Sequence, residues 1–143
     1  MAASELARAI EDNHQAVDAF VKGDPTPWGA LYSQRDDATL ANPFGPPVRG
    51  WAQIEPTMAR AATNYREGEA TGFERVSAYE TAELAYIVEI ERFLAKVGGA
   101  SARTQLALRV TTIFRREDAA WKIVHRHADP ITAPRPAESI VPS

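Results

Sequence analysis

Two histidines at alternate positions near the end of the chain are the residues best suited, by type and spacing, to transfer protons. His125 and His127 are two positions apart, so both side chains point to the same face if the segment is a β-strand. An imidazole titrates near neutral pH and serves as a general acid, a general base or a hydrogen-bonding group toward a ligand. The same pair could instead stiffen a strand end through ordinary hydrogen bonds, and the sequence leaves both roles open.

The hairpin ahead of the histidines predicts which residues face them. With a turn at residues 118–119, Thr112 pairs with His125 and shares its face of the sheet. The functional interpretation makes His125 a catalytic acid–base group, with Thr112 and His127 as ligand-binding residues.

A metal site is a second interpretation of the histidine pair, with His14 or Asp129 as a third ligand. Histidines at this spacing are common without a metal, and we predict neither a metal nor a dissociable cofactor. The chain has no cysteine, which excludes disulfides, zinc–thiolate sites and thiol catalysis. The sequence also contains no phosphate-binding loop and no nucleophile elbow.

Further candidates are an amide, a third histidine and a set of large apolar side chains. Asn42 precedes Pro43 at the end of a predicted strand, where its amide either bonds the next loop or faces a pocket. His14 lies on the apolar face of the first predicted helix, which is more often a core position than a catalytic one. The residues that could line an apolar ligand cavity, though side chains at these spacings more often form a plain core, are Trp28, Tyr32, Trp51, Met58, Phe114 and Trp121.

Three helices are predicted ahead of the main sheet. Residues 4–22 carry apolar positions at spacings of three and four, with Ser4 as a cap and Gly23 as the end. A short helix is predicted over residues 27–32, and a third helix begins at Gly50 and reaches about residue 65.

Beyond residue 68 the apolar period changes from the helical value to two, which indicates strands. The predicted strands cover residues 37–42, 70–81, 84–95, 103–116 and 121–129. Helices followed by long hairpins predict an α+β fold, in which a curved antiparallel sheet and the helices enclose a pocket. We expect one domain over residues 1–130 and a proline-rich tail over residues 131–143.

Composition and charge restrict the partners of the chain. The net charge is −3 with no basic stripe, which argues against nucleic acid. No apolar run approaches a membrane span and no signal peptide is evident, so we expect a cytoplasmic protein that binds no membrane. The predicted strand 84–95 is apolar on both faces, and we therefore expect a homodimer that covers the outer face.

Two segments carry a resemblance to a known group of proteins. Residues 36–45 (DDATLANPFG), followed by Gly50, resemble the first-strand motif of ketosteroid isomerases. The hairpin at residues 113–129 resembles the last hairpin of SnoaL-like domains, and a similar hairpin occurs in the association domain of calmodulin-dependent kinase. The resemblance implies the cone-shaped NTF2-like fold with a pocket, a fold that hosts both enzymes and non-enzymatic domains.

The resemblance also implies three catalytic positions, and this chain fills each of them differently. Asn42 stands where the isomerase has its carboxylate base, and an amide accepts no proton at neutral pH. Thr112 stands where a protonated aspartate would donate to the oxyanion, and Ala16 lies where a tyrosine would assist. Ordinary ketosteroid isomerisation is therefore not expected.

We expect a SnoaL-like protein that binds a small, mostly apolar organic molecule in its pocket. His125 and Asn42 are the predicted catalytic residues of a cofactor-free acid–base reaction on that molecule. The alternative is a non-enzymatic domain for dimerisation, association or ligand sensing. An enclosed cavity of about a few hundred Å³ with polar groups favours the first hypothesis, and an interior filled by Trp and Met side chains favours the second.

Overall fold

Helices come first along the chain and long hairpins follow. The computed structural model describes residues 4–143, which form α1 (Glu5–Val21), α2 (Thr26–Leu31), β1 (Thr39–Ala41), β2 (Val48–Arg49), α3 (Trp51–Ala62), β3 (Tyr65–Glu80), β4 (Leu84–Val97), β5 (Thr104–Glu117), β6 (Ala120–Asp129) and a 3₁₀ helix (Ala137–Ile140). The α+β fold class predicted from the sequence is confirmed, with the helices packed on a six-stranded sheet. None of the helices within residues 4–143 is both long and apolar enough to cross a bilayer.

Helix α1 has the ends that its sequence predicts. The Ser4 Oγ accepts a hydrogen bond from the backbone N–H of Ala7 at 3.0 Å, which caps the first turn. Gly23 follows the helix at a φ of +98°, where a side chain would be strained. A Cβ on Gly68 of β3 would collide with the carbonyl of Val21, so only glycine lets the strand touch the end of α1.

The sheet is mixed, whereas the sequence predicted an antiparallel one. Its strand order is β2-β1-β6-β5-β4-β3, and every neighbouring pair is antiparallel except β1 and β6, which run parallel. Strand β3 begins at Tyr65 and not at residue 70, because α3 already ends at Ala62. Three register shifts along β3 mask its period-two pattern, which explains why the sequence placed its start too late.

The turn between β5 and β6 is the predicted one. Asp118 and Ala119 form it with φ values of +50° and +67°, the left-handed conformation of a two-residue hairpin loop. Phe114 pairs with Ile123 as the turn requires. Up to this point along the hairpin, the predicted register is confirmed.

A bulge beyond this point reverses the predicted faces. Val124 has no partner in β5, so Ile113 pairs with His125, and Thr112 pairs with Arg126. The predicted pairing of Thr112 with His125 is therefore wrong, because one extra residue moves each later side chain of β6 to the other face.

The two faces of the sheet differ in what covers them. The inner face is the one that packs against the helices. Its buried side chains include Ile87, Thr112 and Phe114. We call outer face the opposite one, which carries Tyr86, Ile113 and the two histidines of β6. Helices α1, α2 and α3 contribute apolar side chains to the core on the inner face alone.

Candidate functional site

An apolar cavity lies inside the fold between the helices and the inner face. Its volume is about 30 Å³, close to that of one water molecule and far below the few hundred Å³ of a ligand pocket. The walls come from three helices, the loop after β1 and five strands. The lining side chains are Val17, Phe20, Val21, Trp28, Leu40, Asn42, Pro43, Phe44, Met58, Ala61, Tyr65, Phe93, Leu108, Arg126 and Ala128.

Phe44 borders both this inner cavity and an outer groove. The groove has a volume of about 360 Å³ and opens to solvent between the β1–β2 loop and α3. Asn42, Phe44 and Ala61 line both spaces. The Phe44 ring is 49% exposed and packs edge-on against Tyr65, with 5.8 Å between the ring centroids. A half-exposed ring is therefore one of the three side chains that border both spaces.

Asn42 holds the loop that carries Phe44. Its Oδ1 accepts a hydrogen bond from the backbone N–H of Phe44 at 2.8 Å, which is the loop-bonding role weighed for this amide. Asn42 also lines the inner cavity, which is the second role. Its Nδ2 has no hydrogen-bond partner within residues 4–143, so this donor is available to a ligand.

A buried ion pair ends the cavity on the β6 side. The Arg126 guanidinium donates two hydrogen bonds to the Glu91 carboxylate, at 2.8 and 2.7 Å, and both residues are buried. Arg126 also lies 4.8 Å above the Trp28 ring. Burial alone would lower the pKa of Arg126, but the charge of Glu91 raises it, so the pair stays ionised and neutral overall.

A second charged cluster links α1 to the sheet. The His14 Nε2 lies 2.8 Å from one Glu89 oxygen, and the Arg75 Nε donates to the other oxygen at 2.8 Å. Burial would raise the pKa of Glu89, but these hydrogen bonds bring it below its ordinary value. The His14 ring stacks on Phe73 at 3.9 Å and does not line the inner cavity. The predicted ligand-binding role of His14 therefore has no support from its position.

The two histidines of β6 lie outside the interior. His125 is half-buried on the outer face, where its Nδ1 lies 2.8 Å from the Thr39 Oγ1. His127 is exposed, with its Nε2 at 3.0 Å from the Asp129 Oδ2. Burial and the neighbouring charge of His127 lower the pKa of His125. The expectation that His125 shares a pocket with Thr112 is wrong because of the β6 bulge.

The metal interpretation combined His125 and His127 with His14 or Asp129. His14 lies on the opposite side of the sheet from the two β6 histidines. No group of three His, Asp or Glu side chains suited to a metal ion occurs in the described part of the chain.

The remaining predicted residues belong to the core or to a surface groove. Thr112 is buried on the inner face, and its hydroxyl has no partner within residues 4–143. The Tyr32 hydroxyl donates to the carbonyl of Thr39, and burial raises its pKa. Phe114 and Trp121 pack in the main apolar cluster. Trp51 lines a groove between α2 and α3, and Met58 lines both that groove and the inner cavity.

Among the residues singled out from the sequence, the structure thus brings Trp28, Asn42 and Met58 to the inner cavity. Sequence reasoning missed the buried charges Glu89, Glu91 and Arg126. A signal for the two glutamates was present, because they interrupt an inward-facing row that runs from Ile87 to Phe93.

Comparison with known proteins identifies the family. The family model of the SnoaL-like domain matches residues 11–133. The chain belongs to the SnoaL-like domain family. A search of curated proteins gave no significant match for this SnoaL-like chain.

Solved structures share the fold of this SnoaL-like chain at low sequence identity. An NTF2-like superfamily protein from Salmonella enterica serovar Typhimurium superposes with a TM-score of 0.76 at 19% identity, covering 94% of both chains. A ketosteroid isomerase-like protein from Erwinia carotovora gives 0.72 at 15% identity, covering 89% of this chain and 94% of its own. A domain from Thiobacillus denitrificans, assigned as a calcium/calmodulin-dependent protein kinase type II association domain, gives 0.65 at 19%, covering 87% and 93%. Identities this low establish the NTF2-like fold alone.

Proposed function

We propose that this SnoaL-like protein binds a small, mostly apolar organic molecule inside the fold, and that the molecule enters by displacing Phe44. The observation that carries this proposal is the half-exposed Phe44 ring, which borders both the inner cavity and the outer groove. The inner cavity of about 30 Å³ holds no ligand while Phe44 is in place. Rotation of this ring away from Tyr65 joins the cavity to the groove of about 360 Å³.

The chemistry of the interior favours binding over proton transfer. Glu89 is hydrogen-bonded by His14 and Arg75, and Glu91 by Arg126, which leaves neither carboxylate free as a base. Asn42 is an amide, and His125 lies on the outer face. A ketosteroid isomerase mechanism therefore has no base in the inner cavity among residues 4–143.

The Phe44→Ala variant tests the proposal with toluene as the probe. Removal of the ring should let toluene reach the inner cavity, shifting the NMR methyl resonances of Val17 and Ala61 at lower toluene concentration than in the wild type. Ile140→Ala is the matched control, because it removes another exposed apolar side chain that does not line the cavity. Unchanged Val17 and Ala61 resonances in the Phe44→Ala protein at saturating toluene would refute the binding site.

A second candidate function is self-association through the outer face, and exposed apolar side chains favour it. Tyr79, Leu84 and Tyr86 are 60%, 49% and 37% exposed and line one shallow surface. The Tyr79 and Tyr86 rings stack with centroids 6.1 Å apart. A contiguous apolar patch of this kind on a soluble protein marks an interaction surface. One of the fold neighbours is assigned as an association domain, which agrees with this second function.

Charge on the outer face is compatible with a second copy of the chain as the partner. Arg109 pairs with Asp129 at 2.7 Å and Arg92 pairs with Glu74 at 2.9 Å. Arg115 donates to Asp37 at 2.8 and 2.9 Å. Because these charges are matched within one chain, two such faces meet without net repulsion.

A further inference from the structure

The polar side chains that line the inner cavity offer more free hydrogen-bond donors than free acceptors. We propose that the ligand of this cavity is a neutral molecule of about one ring whose polar group is a hydrogen-bond acceptor, such as a ketone or aldehyde carbonyl. This inference rests on the binding function proposed above and adds the chemical class of the ligand.

Three neutral side chains supply the donors. The Asn42 Oδ1 is occupied by the Phe44 N–H, which leaves only its Nδ2 hydrogens for a ligand. The Trp28 Nε1 is buried with no acceptor among residues 4–143, and an indole can only donate. Tyr65 lines the cavity, and burial raises its pKa, so its hydroxyl keeps its proton. A ligand acceptor can meet all three groups, whereas a ligand donor meets one acceptor, the Tyr65 hydroxyl oxygen, and no free carbonyl or carboxylate among the lining side chains.

The buried ion pair argues against a charged ligand. Both oxygens of Glu91 are held by Arg126, so the carboxylate is not free to bind an ammonium group. The charge of Arg126 is in turn matched by Glu91, so an entering carboxylate would lose its hydration without meeting an uncompensated positive charge. A neutral ligand needs no ionic partner in the cavity and does not give up the hydration of a charge when it enters.

The size of the ligand follows from the group that it replaces. Phe44 closes the inner cavity with one aromatic ring, and the space behind that ring is about 30 Å³. Displacement of the ring therefore opens room for one ring and a short substituent next to Tyr65. Larger molecules would extend into the groove toward Arg60 and Asn64, which are polar.

Four single-ring probes of similar size test this inference by NMR titration of the wild type and of Phe44→Ala. Acetophenone should bind about fivefold more tightly than ethylbenzene, the ratio that one neutral hydrogen bond supports. Benzoate and benzylamine should bind more weakly than either. Tyr65→Phe or Trp28→Phe, each of which removes one donor, should reduce the preference for acetophenone. Tyr79→Phe makes the same chemical change as Tyr65→Phe on the exposed outer face and should leave the preference intact.

The outcomes separate this inference from the function on which it rests. Equal binding of ethylbenzene and acetophenone would overturn the acceptor class while leaving the apolar binding function in place. A preference for acetophenone that survives both donor substitutions would also overturn it. Cavity resonances that none of the four probes moves, in either protein, would overturn the inference together with the proposed function.

Discussion

The Arg126–Glu91 pair places two full charges among Trp28, Tyr65 and other apolar side chains. Removal of such charges from water costs several kcal/mol for each ion, and the two short hydrogen bonds offset that cost only while both partners are present. Because the pair is neutral as a unit, its contribution to stability depends on its remaining intact.

A comparison of one single variant with the double variant tests this dependence. Arg126→Met leaves Glu91 buried without a partner and should lower the free energy of unfolding by about 3–5 kcal/mol. Arg126→Met with Glu91→Leu removes both charges and should recover most of that loss. Urea denaturation measures each variant. Arg109→Met at the exposed pair with Asp129 is the control, with an expected change of about 1 kcal/mol or less.

Equal destabilisation by the single and double variants would contradict the expected coupling. The two sites would then contribute through packing alone and not through their charges.

The candidate site could be predicted from the sequence only in part. Asn42 was found because it precedes Pro43 at the position where the resembling isomerases have their base, and Met58 because it lies on the apolar face of α3. Arg126 was missed because an arginine between two histidines looks like a surface residue until the bulge is known. Tyr65 was assigned to the end of a helix, since the bulges of β3 hide the start of that strand.

At the scale of elements, the bulge in β6 decides what each face of the hairpin carries. The two-residue turn and the cap of α1 follow from local sequence, and the limits of α1 and of the last three strands were predicted to within about two residues for that reason. Val124 is an ordinary strand residue, and nothing in the local pattern marks it as unpaired. The register therefore depends on packing of the finished sheet and could not be predicted from the hairpin alone.

The half-buried position of His125 on the outer face predicts how the free energy of unfolding changes with pH. Its pKa in the folded protein lies below the ordinary 6.5, so the unfolded chain takes up the proton at higher pH. As the pH falls below about 6.5, this group therefore lowers the free energy of unfolding, and above that value it has no effect. NMR titration of the His125 ring should give a midpoint below 6.5.

The His127→Gln variant identifies one cause of the shift. Removal of the neighbouring charge should raise the His125 midpoint, although burial should keep it below the ordinary value. A His125 midpoint at or above 6.5 in the wild type would contradict the partly buried position on the outer face.

At the scale of the whole molecule, the outer face of the sheet leaves Tyr79, Leu84 and Tyr86 exposed to water in a single chain. We expect the protein to form a homodimer through this face, with more than about 1,000 Å² buried in total. Light scattering at micromolar concentration should give twice the mass of the 15.7 kDa chain. Tyr86→Glu should give the monomer, because an unpaired carboxylate at the centre of the contact is costly to desolvate.

Ile140→Glu is the matched control for that experiment. It places the same charge at an exposed apolar position in the C-terminal 3₁₀ helix, away from the sheet, and should leave the dimer intact. A wild-type protein that is monomeric at these concentrations would exclude the sheet-mediated dimer.

The unpaired Val124 also affects how functional residues are assigned by alignment with related sequences. An ungapped alignment with a relative whose last strand is regular places Arg126 of this chain against a residue that points outward. A single gap at residue 124 restores the match between inward-facing positions. Residues of relatives are therefore better matched by the sheet face on which they lie than by their column in an alignment. Without that gap, a functional role transferred to a position beyond residue 124 would be assigned to a residue on the wrong face.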